Sequence, residues 1–287
     1  MKKIKRLNLS SAEKTDIKYE IQNFPDGQKS IIIGIETLST RKDNTILIET
    51  RLTSFVDVEI LLCATQALRE LGYNSISVHI VYFLGARSDR RFEVGGVNYI
   101  KNVIAPIINS QNYEDVSVTH PHSDVLEACL NNFRKVDNNS IVKAALANID
   151  NKNGAPNRTC FVSPDAGAMK TVFGLAQKFN ARELIVGTKV RNLKTGEIIK
   201  TEISDANYEG IENMVIIDDL CDGGRTFIEL SKAIKAKGYS GKIFLIVTHG
   251  IFSKGFEELN IHFDKIYTTN SYRNYVETDK LSVFSII

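Results

Sequence analysis

The chain is poor in the features that would place it outside the ordinary globular proteins or tie it to a large charged or lipid partner. It has four cysteines, Cys63, Cys129, Cys160 and Cys221, with no C-x-x-C pair and no histidine at zinc-ligand spacing. That pattern argues against a disulfide framework or a zinc module and fits reduced thiols. No apolar run approaches the roughly 18 residues a membrane helix requires. The basic start MKKIKRLNLSSAEKTD has no apolar h-region, so no secretory signal is expected. Charge of one sign is also missing: 36 basic residues face 34 acidic ones, for a net +2. We therefore expect a cytoplasmic protein with no membrane partner and no nucleic-acid partner, any anion being met locally. Neither G-x-x-x-x-G-K-[ST] nor G-x-G-x-x-G occurs; a bound phosphate would have to be held by another device. Internal repeats and low-complexity tracts are absent too.

What is present is an ordinary globular composition, 43% hydrophobic and 24% charged over 287 residues, long enough for two domains. Short β-branched runs recur: SIIIG, TILIE, ISVHIVYF, DVSVT, CFVS, ELIVG, MVIID and KIFLIV. Between many of them lie stretches of helical spacing, with Val58, Leu61, Leu62, Thr65 and Leu68 on one face and a second such stretch over 166–179. Alternating strands and helices predict an α/β chain with two doubly wound parallel sheets, and near-continuous apolar strands predict sheets covered on both faces. A boundary near residue 135 gives an N-terminal domain, 1–135, and a C-terminal domain, 136–287, with the terminal LSVFSII as a strand returning to the first. NIDNKNGAPNRT (148–159) reads as a solvent loop. TKVRNLKTGEIIKTEISDANYEG (188–210), between two strong strands, is too long for a plain turn and reads as a lid or hairpin.

The chemistry concentrates in MVIIDDLCDGGRTF (214–227). Ligands of open α/β sheets bind beyond the carboxyl ends of strands, so the turn after MVIID is the first place to look. There Asp222-Gly223-Gly224-Arg225-Thr226 can wrap backbone amides around an anion at a helix start, while Asp218 and Asp219 offer acceptors for two vicinal sugar hydroxyls.

This stretch resembles the phosphoribosyl-pyrophosphate (PRPP) motif of type I phosphoribosyltransferases and, more closely, of ribose-phosphate diphosphokinases. Six other segments follow in family order. Phe24-Pro25-Asp26-Gly27-Gln28 is similar to the early F-x-D-G-E of the adenine pocket. Tyr82 to Arg91 is similar to Y-x-x-Y-A-R-Q-D-R-K, where Arg87 and the residues after it would contact ATP. Thr119-His120-Pro121-His122 stands at D-L-H, Ser163-Pro164-Asp165-Ala166-Gly167 at S-P-D-A-G, Lys189 and Arg191 at the lysine and last arginine of D-K-R-R, and Thr248 to Ser253 at A-T-H-G-x-F-S. The resemblance implies two domains of type I phosphoribosyltransferase-like fold and a homo-oligomer. It implies an ATP-binding set of Phe24, Asp26, Gln28, Arg87, Ser88, Asp89 and Arg90. It also implies a ribose-phosphate set of Asp218, Asp219, Cys221, Asp222, Gly223, Gly224, Arg225 and Thr226. His122 and Asp165 would associate with Mg2+, and Lys189 and Arg191 on a closing flap would meet the charge on the transferred diphosphate.

Three departures bear on the substrate. His120 replaces an aspartate and Ser88 a glutamine. The cradle also trades a family threonine for Gly223 and gains Arg225. A missing side chain at 223 suggests room for an acceptor larger than ribose 5-phosphate, such as ADP-ribose, and with it a role in rebuilding NAD. A phosphoribosyltransferase that consumes PRPP and a catalytically silent regulatory homologue are the rival expectations. The first has no need of Arg87 to Arg91 or of the flap, and the second would be expected to lose Lys189 and Arg191.

Overall fold

The structure, a computed structural model, describes residues 4–38, 44–153, 158–191, 198–205 and 207–287, with only the backbone described for 150–153, 189–191 and 198–200. It divides into two compact units, Met1–Asp137 with Ile286–Ile287, and Asn138–Ser285.

In the first unit the strands are β1 (Ile4–Asn8), β2 (Tyr19–Asn23), β3 (Lys29–Ile33), β4 (Thr45–Arg51), β5 (Ile76–Tyr82), β6 (Val116–Thr119) and β7 (Phe133–Val136). Five of them form a parallel sheet in the order β1-β4-β5-β6-β7. β2 and β3 stand apart as an antiparallel hairpin, so SIIIG is a hairpin arm and not a member of the parallel sheet. The helices are α1 (Phe55–Glu70), α2 (Ala105–Asn109) and α3 (Val125–Cys129). α1 starts where Asp57 Oδ2 accepts the Ser54 backbone N–H at 2.7 Å, leaving fewer orphan amides in the first turn. It buries Val58, Leu61, Ala64, Thr65 and Leu68, which share one face at a 3.6-residue period.

One face of this sheet is apolar, with Leu7, Ile46, Ile48, Val78, Ile80, Val116 and Val118 in the core. The other face is not. Register partners across four strands there are Asn8, Glu49, His79 and Ser117, a polar row in which Arg6 Nε lies 2.9 Å from Glu49 Oε2 and His79 Nε2 lies 2.9 Å from Thr119 Oγ1. This face is covered too, since Asn8, Glu49, Ser117 and Thr119 are buried, but its residues are polar because the strands of this unit alternate instead of running continuously apolar.

The second unit holds α4 (Asn139–Asn153), β8 (Thr159–Ser163), α5 (Met169–Lys178), β9 (Glu183–Arg191), β10 (Ile198–Ile203), β11 (Asn213–Cys221), α6 (Arg225–Ala236), β12 (Lys242–Gly250), α7 (Glu257–His262), β13 (Lys265–Thr269) and β14 (Leu281–Phe284). Its seven-stranded sheet runs β10-β9-β8-β11-β12-β13-β14, parallel except for the antiparallel β9–β10 pair. Both faces are apolar. Met214, Ile216, Leu245 and Val247 belong to one core cluster, and Phe161, Val215, Ile217, Phe244 and Ile246 are buried by the opposite alternation.

Two sequence expectations are corrected here. LSVFSII does not cross back as a strand: β14 pairs in parallel with β13, and only Ile286–Ile287 group with the first unit. The polar stretch from residue 148 is not all loop, since α4 runs on to Asn153, carried by the helix-forming Ala145, Leu146 and Ala147 that precede it. The stretch from 188 is a hairpin arm, β9 turning back through β10. Among the described residues no helix is long and apolar enough to cross a membrane.

Candidate functional site

In the second sheet the chain leaves β8, crosses outward to β9, and returns to β11 on the other side of β8. The order therefore reverses between β8 and β11. Loops leaving the carboxyl ends of those two strands part in opposite directions and open a crevice, the general ligand position of such sheets. β8 delivers Asp165 to that rim and β11 delivers Asp218 and Asp219.

The acids are crowded there. Asp218 Oδ1 accepts the Asp219 backbone N–H at 2.9 Å. Asp218 is half-buried, and its carboxyl is pushed well above the usual carboxylate range, first by burial, then by the Asp219 charge and hydrogen bond, and less by Asp165. One backbone amide to the carboxylate opposes these effects without cancelling them. Asp165 turns one oxygen inward, with Oδ1 accepting Gly167 N–H at 3.0 Å and Ala168 N–H at 3.2 Å. Gly187 on β9 lets that loop approach closely, for a Cβ there would meet Pro164 O at 2.8 Å. Three neighbouring carboxylates with one held uphill make a site whose electrostatics improve when a cation or hydroxyl donors arrive.

Beyond β11 the chain turns into α6 through Gly224, at φ +81°, where a Cβ would meet Leu259 Cδ2 at 2.8 Å. Only glycine fits both demands. Intrahelical pairing begins with Phe227 N–H and Ile228 N–H on Gly224 O, so the amides of Arg225 and Thr226 face forward at the positive end of the helix dipole, an anion seat. The cradle is clipped to the end of β12. Cys221 O accepts the N–H of Ile251 (2.8 Å) and Phe252 (3.2 Å), Asp222 O accepts Ser253 N–H (3.1 Å), and Ser253 Oγ donates to Asp222 Oδ1 (2.6 Å). Tyr275 OH donates to the carbonyls of Gly250 and Ile251, while Arg273 stacks on its ring at 4.7 Å.

Cys221 sits inside this motif but is no nucleophile. Burial, with the Asp218 and Asp222 charges, pushes its thiol up to about 12, so the reactive thiolate is absent near neutral pH.

The expectation that Gly223 opens room for a bulkier acceptor meets a correction. The space is taken by Lys254, whose Cγ lies 3.1 Å and Cε 3.7 Å from where a Cβ at 223 would stand. Sequence reasoning missed Lys254, which lies 31 positions away (254 − 223) and comes close only because β12 runs beside β11.

The remaining candidates fall as follows. Phe24, Asp26 and Gln28 form the turn of the β2–β3 hairpin, with Phe24 N–H on Gln28 O and Gln28 N–H on Asp26 Oδ1; Phe24 is exposed, so it is no core residue. Arg87, Ser88, Asp89 and Arg90 lie in the loop after β5. Ser88 N–H on Gly85 O and Asn98 Nδ2 on Asp89 O hold that loop, and Arg90 covers Phe92 at 5.3 Å. His120 adopts φ +38° and is buried, which leaves the exposed His122 next along to reach outward. His122 belongs to the first unit and Asp165 to the second. The backbone of Lys189 and Arg191 lies in β9, but their side chains are outside the described residues.

Among the described residues no group of three or more His, Cys, Asp or Glu forms a ready metal cage. The donor chemistry still fits magnesium. That ion keeps its waters and binds through one or two carboxylates plus substrate phosphates, and Asp165 at this rim would offer one such carboxylate.

No family model matches the chain. Curated relatives do. A ribose-phosphate pyrophosphokinase of Mycoplasmopsis pulmonis is 27% identical over 271 residues, covering 92% of this chain and 79% of the relative. One of Pyrococcus abyssi is 24% identical over 277 residues, covering 94% and 89%. Among solved structures, phosphoribosylpyrophosphate synthetase from Mycobacterium smegmatis superposes with a TM-score of 0.78 over 99% of this chain and 95% of that one, at 14% identity, a likeness of fold. The similarity to ribose-phosphate pyrophosphokinases thus runs nearly end to end in sequence, and the likeness of fold to a phosphoribosylpyrophosphate synthetase is equally complete.

Proposed function

We propose that the protein transfers the β,γ-diphosphate of ATP to the anomeric hydroxyl of ribose 5-phosphate, releasing AMP and giving PRPP. The C1 oxygen bonds to the β-phosphorus, the bond from that phosphorus to the α-phosphate oxygen breaks, and the hydroxyl proton passes to solvent. The observation that carries this reading is the conjunction, at the strand-order reversal of the second sheet, of a crowded acid pair and an amide cradle at a helix start.

Each part has a task set by its chemistry. Asp218 and Asp219 accept hydrogen bonds from the ribose 2- and 3-hydroxyls, which orients C1 and replaces Asp218's unfavourable solvation with two donors. The α6 amides with Arg225 and Thr226 hold the 5-phosphate. Arg87 to Arg91 take the nucleotide phosphates, and the Phe24 turn takes the base. His122 and Asp165 would hold magnesium or its waters, and the ion would supply charge neutralisation to the polyphosphate. Lys189 and Arg191 neutralise the diphosphate in transit. The likeness to enzymes named ribose-phosphate pyrophosphokinase supports this acceptor. ADP-ribose, which requires room at Gly223, is the comparison substrate.

The test is AMP release from ATP and magnesium with ribose 5-phosphate or ADP-ribose. Turnover with ribose 5-phosphate, lost by two or more orders of magnitude in Lys189→Ala, supports the proposal. Faster turnover with ADP-ribose replaces the acceptor. AMP release untouched by Lys189→Ala removes the flap's role, and no AMP with either acceptor leaves the silent homologue.

A further inference from the structure

The cradle has an electrostatic problem. A sugar phosphate arriving at the α6 amides enters a rim that carries Asp165, Asp218, Asp219 and Asp222. The helix start returns only about half a positive charge, so amides alone do not offset that many carboxylates. The loop itself brings one cation, Arg225. The second comes from elsewhere in the chain. Lys254 is exposed, makes no ion pair with a described residue, and lays its stem across Gly223. Its backbone position is fixed by the three amide bonds and the Ser253–Asp222 bond that clip 251–253 to the cradle. A β-carbon at 223 would press on the stem at 3.1 Å. The missing side chain therefore admits Lys254, and does not leave a gap.

We infer that Lys254 is a binding and specificity-determining residue for the acceptor's phosphate, a cation held over Gly223 that takes over the task of the hydroxyl donor the cradle lacks. The inference rests on the proposed sugar-phosphate site and names one further residue of it. An ammonium on a flexible stem suits a phosphate dianion better than a neutral sugar, and its contribution is screened by salt.

The test is Lys254→Met, which keeps the stem over Gly223 and removes only the charge. Being exposed, the position tolerates the change. KM for ribose 5-phosphate is expected to rise about tenfold at low salt and less in 0.5 M NaCl, with KM for ATP within twofold. Lys254→Arg should recover most of the loss. Gly223→Ala, which strains no backbone because Gly223 is not left-handed, should raise the same KM by displacing the stem. Calorimetric titration of ribose 5-phosphate into wild type and Lys254→Met reads the same effect without turnover. An unchanged Kd or KM in Lys254→Met overturns the inference alone. Binding without AMP release overturns the proposed reaction alone, and no binding by the wild type overturns both.

Discussion

The two units of this chain are built from the same strand-and-helix alternation, yet they place chemistry differently. The second sheet reverses its order between β8 and β11 and collects acids at the break. The first sheet runs in simple sequence order, with no reversal, and its buried acid, Glu49, lies within the polar row on the sheet face. A reversal opens a crevice at strand ends, so charge can be gathered there for a ligand. Without one, the buried Glu49 of the first unit is paired with Arg6, and Arg87 to Arg91 lie on the loop after β5.

The largest expected effect tests whether the acids at the reversal serve a ligand and not the fold. Asp218 titrates higher in the folded chain than in the unfolded one. Folding thus favours its protonated form: the group adds stability below the ordinary carboxylate range, and that contribution is lost as pH rises through the raised value. Asp218→Asn should therefore cost turnover by about a hundredfold or more while raising the melting temperature at pH 8, with little gain at pH 4. A variant that melts lower at pH 8, or keeps its turnover, would make Asp218 a structural residue like Glu49.

The same contrast explains what the sequence disclosed. CFVS, MVIID and KIFLIV are legible as strands because a sheet covered on both faces wants continuous apolar residues. IKRLN (β1) and FRKV (β7) escape notice because they are edge strands of a sheet with one polar face, and their charges read as loop. The acid pair and glycine cradle are legible because they are contiguous in sequence. Lys254 is not: its meaning depends on β12 lying against β11, a pairing no local pattern announces. The Gly223 reading failed for that reason. An absent side chain says that space is needed, and only the neighbour across the sheet says by whom.

A middle-sized effect separates the two loops proposed to bind substrates. Gly224 (φ +81°, against Leu259) and Gly85 (φ +75°, with the Tyr99 ring against a would-be Cβ) each hold a left-handed turn. An alanine at either should cost about 1–3 kcal/mol by denaturant unfolding. Their binding effects should diverge, with Gly224→Ala weakening ribose 5-phosphate and Gly85→Ala weakening ATP. If both variants weaken the same substrate, the division of labour between the units is wrong.

The smallest effect concerns the polar row. Glu49 is 6% exposed, and Arg6 Nε meets its Oε2 at 2.9 Å. His79 Nδ1 lies 3.6 Å from the other oxygen, beyond a good hydrogen bond. Arg6 is therefore the nearer of the two partners. Its own side chain is 53% exposed, so water screens the pair and the gain is modest. Arg6→Met, which keeps much of the stem's packing, should cost about 1 kcal/mol of unfolding free energy. A double-mutant cycle with Glu49→Gln should give a coupling of roughly 0.5–1.5 kcal/mol that shrinks in 0.5 M salt. Additive losses would mean that the row is held by packing alone.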